Sequence, residues 1–179
     1  MTEQSEAVLI RRELPADAAV IRAVTDAAFA RPGVPCPSAE ARLVDELRAG
    51  PAWLPPLSLV AIDAAGDVVG HVACTRGHVG DAPVLALGPL SVRPDSQGRG
   101  AGSALVHAVL GAADALDEPL VALLGSPGYY RRFGFLLSGE FGIDPQRPEW
   151  GPHFQVRPLT AYQPTVRGTF TYPEPFDRT

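Results

Sequence analysis

A glycine-rich turn at residues 97–102 carries the residue types that bind phosphate groups. It reads Gln97-Gly98-Arg99-Gly100-Ala101-Gly102 and lies between an apolar segment and residues with helical spacing. Its glycines have no Cβ atoms, so a ligand can approach the backbone closely. The first N–H groups of the helix that follows are unpaired and lie at the positive end of its dipole. The sequence therefore predicts a phosphate-binding turn that continues into the helix at Ser103.

Two common nucleotide-binding loops do not fit this turn. A nucleoside triphosphate loop requires Gly-Lys followed by Ser or Thr, and the chain has no Gly-Lys pair. The dinucleotide fingerprint requires glycine at its first, third and sixth positions, but the sixth position is Ser103 counted from Gly98 and Leu105 counted from Gly100. The acid downstream, Glu118, precedes the next predicted strand instead of ending it. Both interpretations are therefore disfavoured.

The turn does match the pattern Gln/Arg-x-x-Gly-x-Gly/Ala, and it resembles the coenzyme A site of the GNAT superfamily of N-acetyltransferases. A second motif, Tyr129-Tyr130-Arg131-Arg132-Phe133-Gly134-Phe135, is similar to that family's Tyr-x-x-x-Gly-Phe element after its fifth strand. The motifs lie about 30 residues apart, joined by a predicted helix and a short apolar strand, and the resemblance extends from Val8 to about Leu159. The double tyrosine is similar to that of a bacterial branch of predicted acetyltransferases.

The resemblance implies a set of roles for these residues. Acetyl coenzyme A would be the cosubstrate, without a metal, and the turn would hold its pyrophosphate. Backbone groups of the central strand would bind the pantetheine arm, and one N–H would polarise the thioester carbonyl. Tyr130 would be the general acid that protonates the leaving thiolate, with Tyr129 as a neighbouring alternative that lines the pocket. The implied cofactor-binding residues are Leu90, Ser91, Val92, Gln97, Gly98, Arg99, Gly100, Ala101, Gly102 and Ser103.

The group that removes the proton from the attacking amine stays open. Many relatives place a carboxylate on the central strand, where this chain has Gly88 and Pro89. The base could be His71 or His78, a water chain, or none if the amine arrives partly unprotonated. For His71, a hydrogen-bonded structural role is favoured. The missing acid leaves two alternatives to acetyl transfer: a non-catalytic acyl-CoA-binding or regulatory module, and transfer of a different acyl group.

The elements that must position these motifs follow from hydrophobic spacing and turn residues. Together with the resemblance they predict an α/β (α+β type) fold, a mixed, mostly antiparallel sheet of about seven strands flanked by helices. A turn is expected at Gly77–Pro83. The predicted strands are Ala7–Glu13, Leu57–Asp63, Val68–Arg76, Leu85–Val92, Leu120–Leu124, Leu136–Ile143 and His153–Leu159. The predicted helices are Leu14–Phe29, Ala39–Arg48 with Ser38 as its cap, one from the glycine turn to Leu116, and a short one at Tyr129–Phe133.

Length and composition limit the organisation and the partners of the chain. Its 179 residues are 46% hydrophobic, which favours one domain, with a core at about 8–159 and a C-terminal extension at 160–179. A net charge of −5 argues against a nucleic-acid partner. No apolar run approaches membrane-spanning length, and residues 1–6 are acidic and polar, unlike a signal peptide. Cys36 and Cys74 have neither metal-ligand spacing nor a disulfide pattern.

These observations predict a cytoplasmic protein without a membrane partner. The acceptor is expected to be an amine on a small molecule or a peptide, and the sequence leaves its identity open. The aromatic residues after Thr160 are expected to pack on the body of the protein or on a neighbouring subunit, so a homodimer is a further expectation.

Overall fold

A mixed sheet of nine strands forms the centre of the computed structural model, which describes residues 7–179. Seven strands lie side by side in the order β1-β2-β3-β4-β5-β8-β6, while β9 pairs with β3 and β7. Only β4–β5 and β7–β9 are parallel among the described pairs, so the predicted mixed, mostly antiparallel sheet is confirmed. The strands are β1 Leu9–Arg12, β2 Trp53–Ile62, β3 Val68–Val79, β4 Ala82–Val92, β5 Leu120–Leu124, β6 Leu136–Leu137, β7 Ile143–Asp144, β8 Phe154–Pro158 and β9 Gly168–Thr171.

Helices cover both faces of this sheet. They are α1 Ala18–Phe29, α2 Ala39–Ala49, α3 Ala101–Ala115 and the short α4 Pro127–Tyr130. The predicted cap of α2 is confirmed, because Ser38 Oγ accepts the N–H of Ala41 at 3.1 Å. Side chains of β2 alternate between the two faces, as the pleat of a strand requires. Leu57 and Leu59 pack with α3, whereas Val60 packs with α1 and α2.

Two predicted elements, a turn and a strand, differ from the structure. Gly77 belongs to β3, because the ring of Phe170 covers it so closely that a Cβ there would lie 2.9 Å from Phe170 Cζ. The turn is therefore shorter than Gly77–Pro83 and consists of Gly80 and Asp81. Gly80 has φ +57°. The predicted strand Leu136–Ile143 is also broken, by a 3₁₀ helix at Ser138–Phe141 that ends at Gly142 with φ +67°.

The C-terminal segment is built into the sheet. β9 pairs with the end of β3 through His78↔Thr171 and Val79↔Phe170. Phe170 is fully buried, with its ring centroid 5.1 Å from that of Phe154 and 4.8 Å from that of Tyr172. The acidic residues 1–6 lie outside the described residues. Within residues 7–179, every helix is too short or too polar to span a lipid bilayer.

Candidate active site

The central strand β4 separates from its neighbour β5 partway along its length. The parallel ladder between them ends at the pair Ala86↔Ala122. One extra residue on β4, at Gly88-Pro89, lies opposite Ala73 of β3 and forms a β-bulge. Pro89 has no N–H to donate, so it removes one hydrogen bond from the strand. Beyond the bulge, the edge of β4 that faces away from β3 is therefore open to a ligand.

The register of β4 decides which of its backbone groups face this opening. Arg93 donates its N–H to β3 at 2.8 Å, and Ser91 is opposite His71 two residues earlier. Hydrogen-bonded and non-hydrogen-bonded pairs alternate in an antiparallel ladder, so Ser91 uses its backbone groups on β3. Leu90 and Val92 are directed the other way, and their N–H and C=O groups face the opening.

The glycine turn lies beside this opening and leads into α3. Gly98 and Gly100 have φ of +74° and +93°, values that side-chain-bearing residues rarely adopt. The first hydrogen bond inside α3 runs from the N–H of Ala104 to the carbonyl of Gly100 at 2.9 Å. The N–H groups of Ala101, Gly102 and Ser103 precede it, and no side chain of residues 7–179 caps them. Three backbone donors are therefore available to an anion.

The opening and the turn form one cavity of about 630 Å³, here called the turn cavity. Nine of the ten predicted cofactor-binding residues line it, and Ser91 does not. The Ser91 side chain is buried and its hydroxyl lies 3.2 Å from Thr25 Oγ1. The residues that line the turn cavity are Leu90, Val92, Ser96, Gln97, Gly98, Arg99, Gly100, Ala101, Gly102, Ser103, Tyr129 and Arg132.

Tyr129 and Arg132 form the wall of the turn cavity opposite the glycine turn. A Cβ at Gly102 would lie 3.2 Å from the Tyr129 hydroxyl, so a larger residue there would push that hydroxyl away by a few tenths of an ångström. Arg132 donates from Nε to the Tyr129 carbonyl at 3.0 Å, and its guanidinium lies 4.7 Å from the centre of the Tyr129 ring. Sequence analysis did not select Arg132, although it is part of the second motif.

Tyr130 lies in a second cavity, of about 470 Å³, here called the aromatic cavity. The two cavities share Leu90, on the open edge of β4. The Tyr130 ring packs at 4.9 Å from the ring of Tyr129 and 5.7 Å from that of Phe135. Burial, with a smaller effect of Tyr129, raises the pKa of the Tyr130 hydroxyl to about 12. The hydroxyl therefore keeps its proton throughout the physiological pH range.

None of the four histidines, all within the described residues, lines either cavity. His71 is fully buried, and its Nε2 lies 2.9 Å from Ser58 Oγ and 3.4 Å from a Glu13 oxygen. This is the structural role that the sequence favoured for it. His78 is exposed near the end of β3 that pairs with β9. The structure therefore brings neither candidate base to the site.

Comparison with known proteins agrees with this geometry. Residues 21–135 match the model of the family described as "Acetyltransferase (GNAT) family". The chain belongs to the GNAT family of acetyltransferases. It is 34% identical over 174 residues to the uncharacterized N-acetyltransferase YhbS of Escherichia coli strain K12, an alignment that covers 96% of this chain and 99% of YhbS.

Two solved GNAT structures share the fold over nearly the whole chain. The crystal structure of E. coli YhbS in complex with CoA has a TM-score of 0.86 and 32% identity, and covers 99% of this chain and 96% of that one. A GNAT acetyltransferase from Brucella melitensis in complex with acetyl-CoA has a TM-score of 0.77 and 37% identity, and covers 96% and 99%. The predicted GNAT fold is thus confirmed, and both of these relatives bind CoA or its acetyl thioester.

The sequence at the bulge of β4 bears on the search for a base. Gly88 and Pro89 form the bulge of β4, so this part of the strand offers no side-chain base. In the part of the chain that the structure describes, no group of three His, Cys, Asp or Glu residues is arranged to hold a metal ion.

Proposed function

We propose that this GNAT protein transfers the acetyl group of acetyl-CoA directly to a primary amine. The observation that carries the proposal is the contact of both cavities at Leu90, on the open edge of β4. A cosubstrate in the turn cavity would place its thioester at this junction, and an amine in the aromatic cavity would reach it. The amine nitrogen attacks the carbonyl carbon and forms the C–N bond, and the C–S bond then breaks. The proton that the nitrogen loses ends on the thiolate, so the products are an amide and free CoA.

The cofactor positions follow from the backbone groups that face the turn cavity, although the Val92 carbonyl accepts a hydrogen bond from Gln97 Nε2 at 3.0 Å that a ligand would have to replace. The pyrophosphate would accept hydrogen bonds from the N–H groups of residues 101–103, with the rest of the turn, Gln97 and Arg99 included, around it. The pantetheine amides would pair with Leu90 and Val92 in the manner of an added strand. One of those N–H groups would also stabilise the oxyanion of the tetrahedral intermediate. Ser91 would hold the strand in place and would not touch the cofactor.

We assign the general acid role to Tyr130. Its half-buried side chain keeps the hydroxyl proton at every pH at which the enzyme would work, and it lines the aromatic cavity, which meets the turn cavity at Leu90. A pKa of about 12 is well above that of an ordinary thiol, about 8.5. Its contribution is therefore a hydrogen bond to the sulfur that strengthens as the C–S bond breaks, with the amine's proton completing the balance.

The test begins with calorimetric titration of the purified protein with acetyl-CoA and with free CoA. Thiol release is then followed with a panel of amines for the wild type and for Tyr130→Phe, with Tyr129→Phe as the matched control. We expect Tyr130→Phe to lower kcat about 100-fold while the acetyl-CoA affinity stays within twofold. An unchanged kcat in a folded Tyr130→Phe protein would refute the assignment.

The same experiment separates the alternative functions. Binding of acetyl-CoA without thiol release for any amine would favour an acyl-CoA-binding or regulatory module, to which the absence of a base on β4 points. Faster turnover with succinyl-CoA or propionyl-CoA than with acetyl-CoA would indicate a different acyl group.

We further propose a cytoplasmic location and one domain. The free thiols of Cys36 and Cys74 suit a reducing compartment. The pairing of β9 with β3 supports a single folding unit that includes the C-terminal segment. The homodimer stays a prediction.

A further inference from the structure

The aromatic cavity has a lining that is specific in its chemistry. Its walls come from the ends of α1 and α2, the bulge of β4, the end of β5, α4, the loop before β8, and the segment after β9. Most of the lining residues are aromatic or aliphatic. The apolar surface that they expose to the cavity favours an apolar ligand. The lining residues are Phe29, Glu40, Leu43, Leu87, Gly88, Pro89, Leu90, Leu124, Tyr130, Trp150, Tyr172, Phe176 and Thr179.

Among these described lining residues, Glu40 has the one ionised side chain. It lies in the first turn of α2 and is partly buried. Its carboxylate has no hydrogen bond or ion pair with any residue of 7–179, whereas the nearby acid Asp26 accepts the N–H of Ser38 at 2.6 Å. Ser38 already caps the helix, so Glu40 is not needed for that purpose. This partly buried carboxylate can therefore pair with a cation that enters the cavity.

The cation that fits is an ammonium group on an apolar body. Glu40 supplies the opposite charge, and the aromatic side chains of Tyr130, Trp150 and Tyr172 line the same cavity. The Trp150 ring already binds one cation, the guanidinium of Arg147 at 5.1 Å from its centre. The remaining wall can accept an aromatic ring or an alkyl chain, but it offers few groups to a sugar or another polar body. A volume of about 470 Å³ is in the range of small-molecule sites.

We propose that the acceptor is a primary amine on an aromatic or aliphatic body, and that Glu40 selects it by its charge. This inference rests on the proposed acetyl transfer and names the acceptor class for it. Glu40 is a specificity-determining residue, because it attracts the ammonium form into the cavity that adjoins the thioester position at Leu90. The ammonium group releases one proton to water before its nitrogen attacks, and its second proton ends on the thiolate. The segment after β9 supplies the apolar contacts through Tyr172 and Phe176.

The test uses 2-phenylethylamine and 2-phenylethanol, which have the same shape and differ in charge. Calorimetry measures the binding of each to the protein saturated with free CoA, so no turnover occurs. The variants are Glu40→Gln, Glu40→Asp, and Glu140→Gln as the control, since Glu140 is exposed and lies outside the cavity. Phe176→Ala tests the apolar wall separately.

We expect the wild type to bind the amine at least tenfold more tightly than the alcohol. Glu40→Gln should lower amine affinity about tenfold and leave alcohol affinity unchanged, and it should raise the KM for the amine with kcat within a few fold. Glu40→Asp should retain part of the preference, and Glu140→Gln all of it. Phe176→Ala should weaken both ligands equally, because it removes apolar contact and no charge.

Three results would overturn the inference. They are equal binding of the amine and the alcohol by the wild type, an unchanged preference in Glu40→Gln, and higher kcat/KM for polar amines such as ethanolamine or glucosamine than for 2-phenylethylamine. Failure of the proposed function is a different result. In that case the wild type would not bind acetyl-CoA, or it would release no thiol with any amine, polar or apolar.

Discussion

Glu13 is the centre of a buried polar network that fixes α2 against the sheet. Its side chain is 7% exposed, and one oxygen accepts a hydrogen bond from Arg48 Nε at 2.6 Å. The other oxygen accepts from Ser58 Oγ and lies 3.4 Å from His71 Nε2. Arg48 belongs to α2, the helix that also carries Glu40. Replacement of Glu13 by Gln therefore tests how firmly one wall of the aromatic cavity is held.

The magnitude follows from the pKa of this carboxyl group. Burial alone would raise the pKa of Glu13, but hydrogen bonds from His71, Arg48 and Ser58 outweigh it and lower the pKa from 4.5 to about 2. A difference of about 2.5 pKa units between the unfolded and folded states corresponds to about 3 kcal/mol. Because the folded-state pKa is the lower one, this contribution is complete above about pH 5.5 and is lost as the pH falls from 4.5 towards 2.

Urea denaturation of the wild type and Glu13→Gln at several pH values measures this contribution. At pH 7.5 the variant should be less stable by about 3 kcal/mol, and at pH 3 the difference should shrink to about 1 kcal/mol. Asp95→Asn is the control, since Asp95 forms an exposed ion pair with Arg93 and its replacement should not change stability measurably. A difference below about 1 kcal/mol at pH 7.5, or one that does not depend on pH, would refute the reasoning.

Two further predictions concern glycines of the site. A Cβ at Gly125 would lie 2.6 Å from Tyr130 Cε2, so Gly125→Ala must displace the Tyr130 ring. We expect kcat to fall while the affinity for acetyl-CoA, measured by calorimetry, is retained. An unchanged kcat would argue that the position of Tyr130 does not matter for the reaction. Gly100 has φ +93°, so Gly100→Ala should cost about 1 kcal/mol through backbone strain and also weaken acetyl-CoA binding. Gly111→Ala, inside α3 with nothing within 4 Å, is its control and should stabilise the protein slightly in urea denaturation.

Local signals explain the parts of the fold and the site that the sequence predicts correctly. The buried residues of α3, Leu105, Val106 and Val109 among them, recur at the helical period, and the sequence between residues 97 and 103 specifies the turn before it. Gly98 and Gly100 have the positive φ values that favour glycine, so the motif reflects a backbone requirement. Nine of the ten predicted cofactor positions line one cavity because they lie in one strand–turn–helix unit.

The register of β4 explains why Ser91 does not line the turn cavity, although it was a predicted cofactor-binding residue. A strand pattern predicts which side chains share a face, but the direction of a backbone N–H also depends on how the strand pairs with its neighbour. The pairing of Ser91 with His71 is a long-range property of β3 and β4. The bulge in β4 lies between the hairpin turn at Gly80 and Ser91, and it shifts the pairing with β3 by one residue. Gly88-Pro89 indicates that a bulge is present, but not which backbone groups face β3 after it.

No single segment of the sequence specifies the aromatic cavity, for a related reason. Phe29, Glu40, Trp150 and Phe176 lie in four segments distant in the chain, and each has an ordinary local explanation as a helix end, a first-turn acid or a loop aromatic. Phe176 reaches the cavity because β9 pairs with β3, which places the C-terminal segment beside the open end of the sheet. That pairing depends on the Phe170 ring packed over Gly77, where the sequence suggests a turn. The close contact between Gly77 and Phe170 thus helps to bring Tyr172 and Phe176 to the aromatic cavity. The residues that we expect to select the acceptor therefore depend on contacts between distant segments, which no single segment specifies.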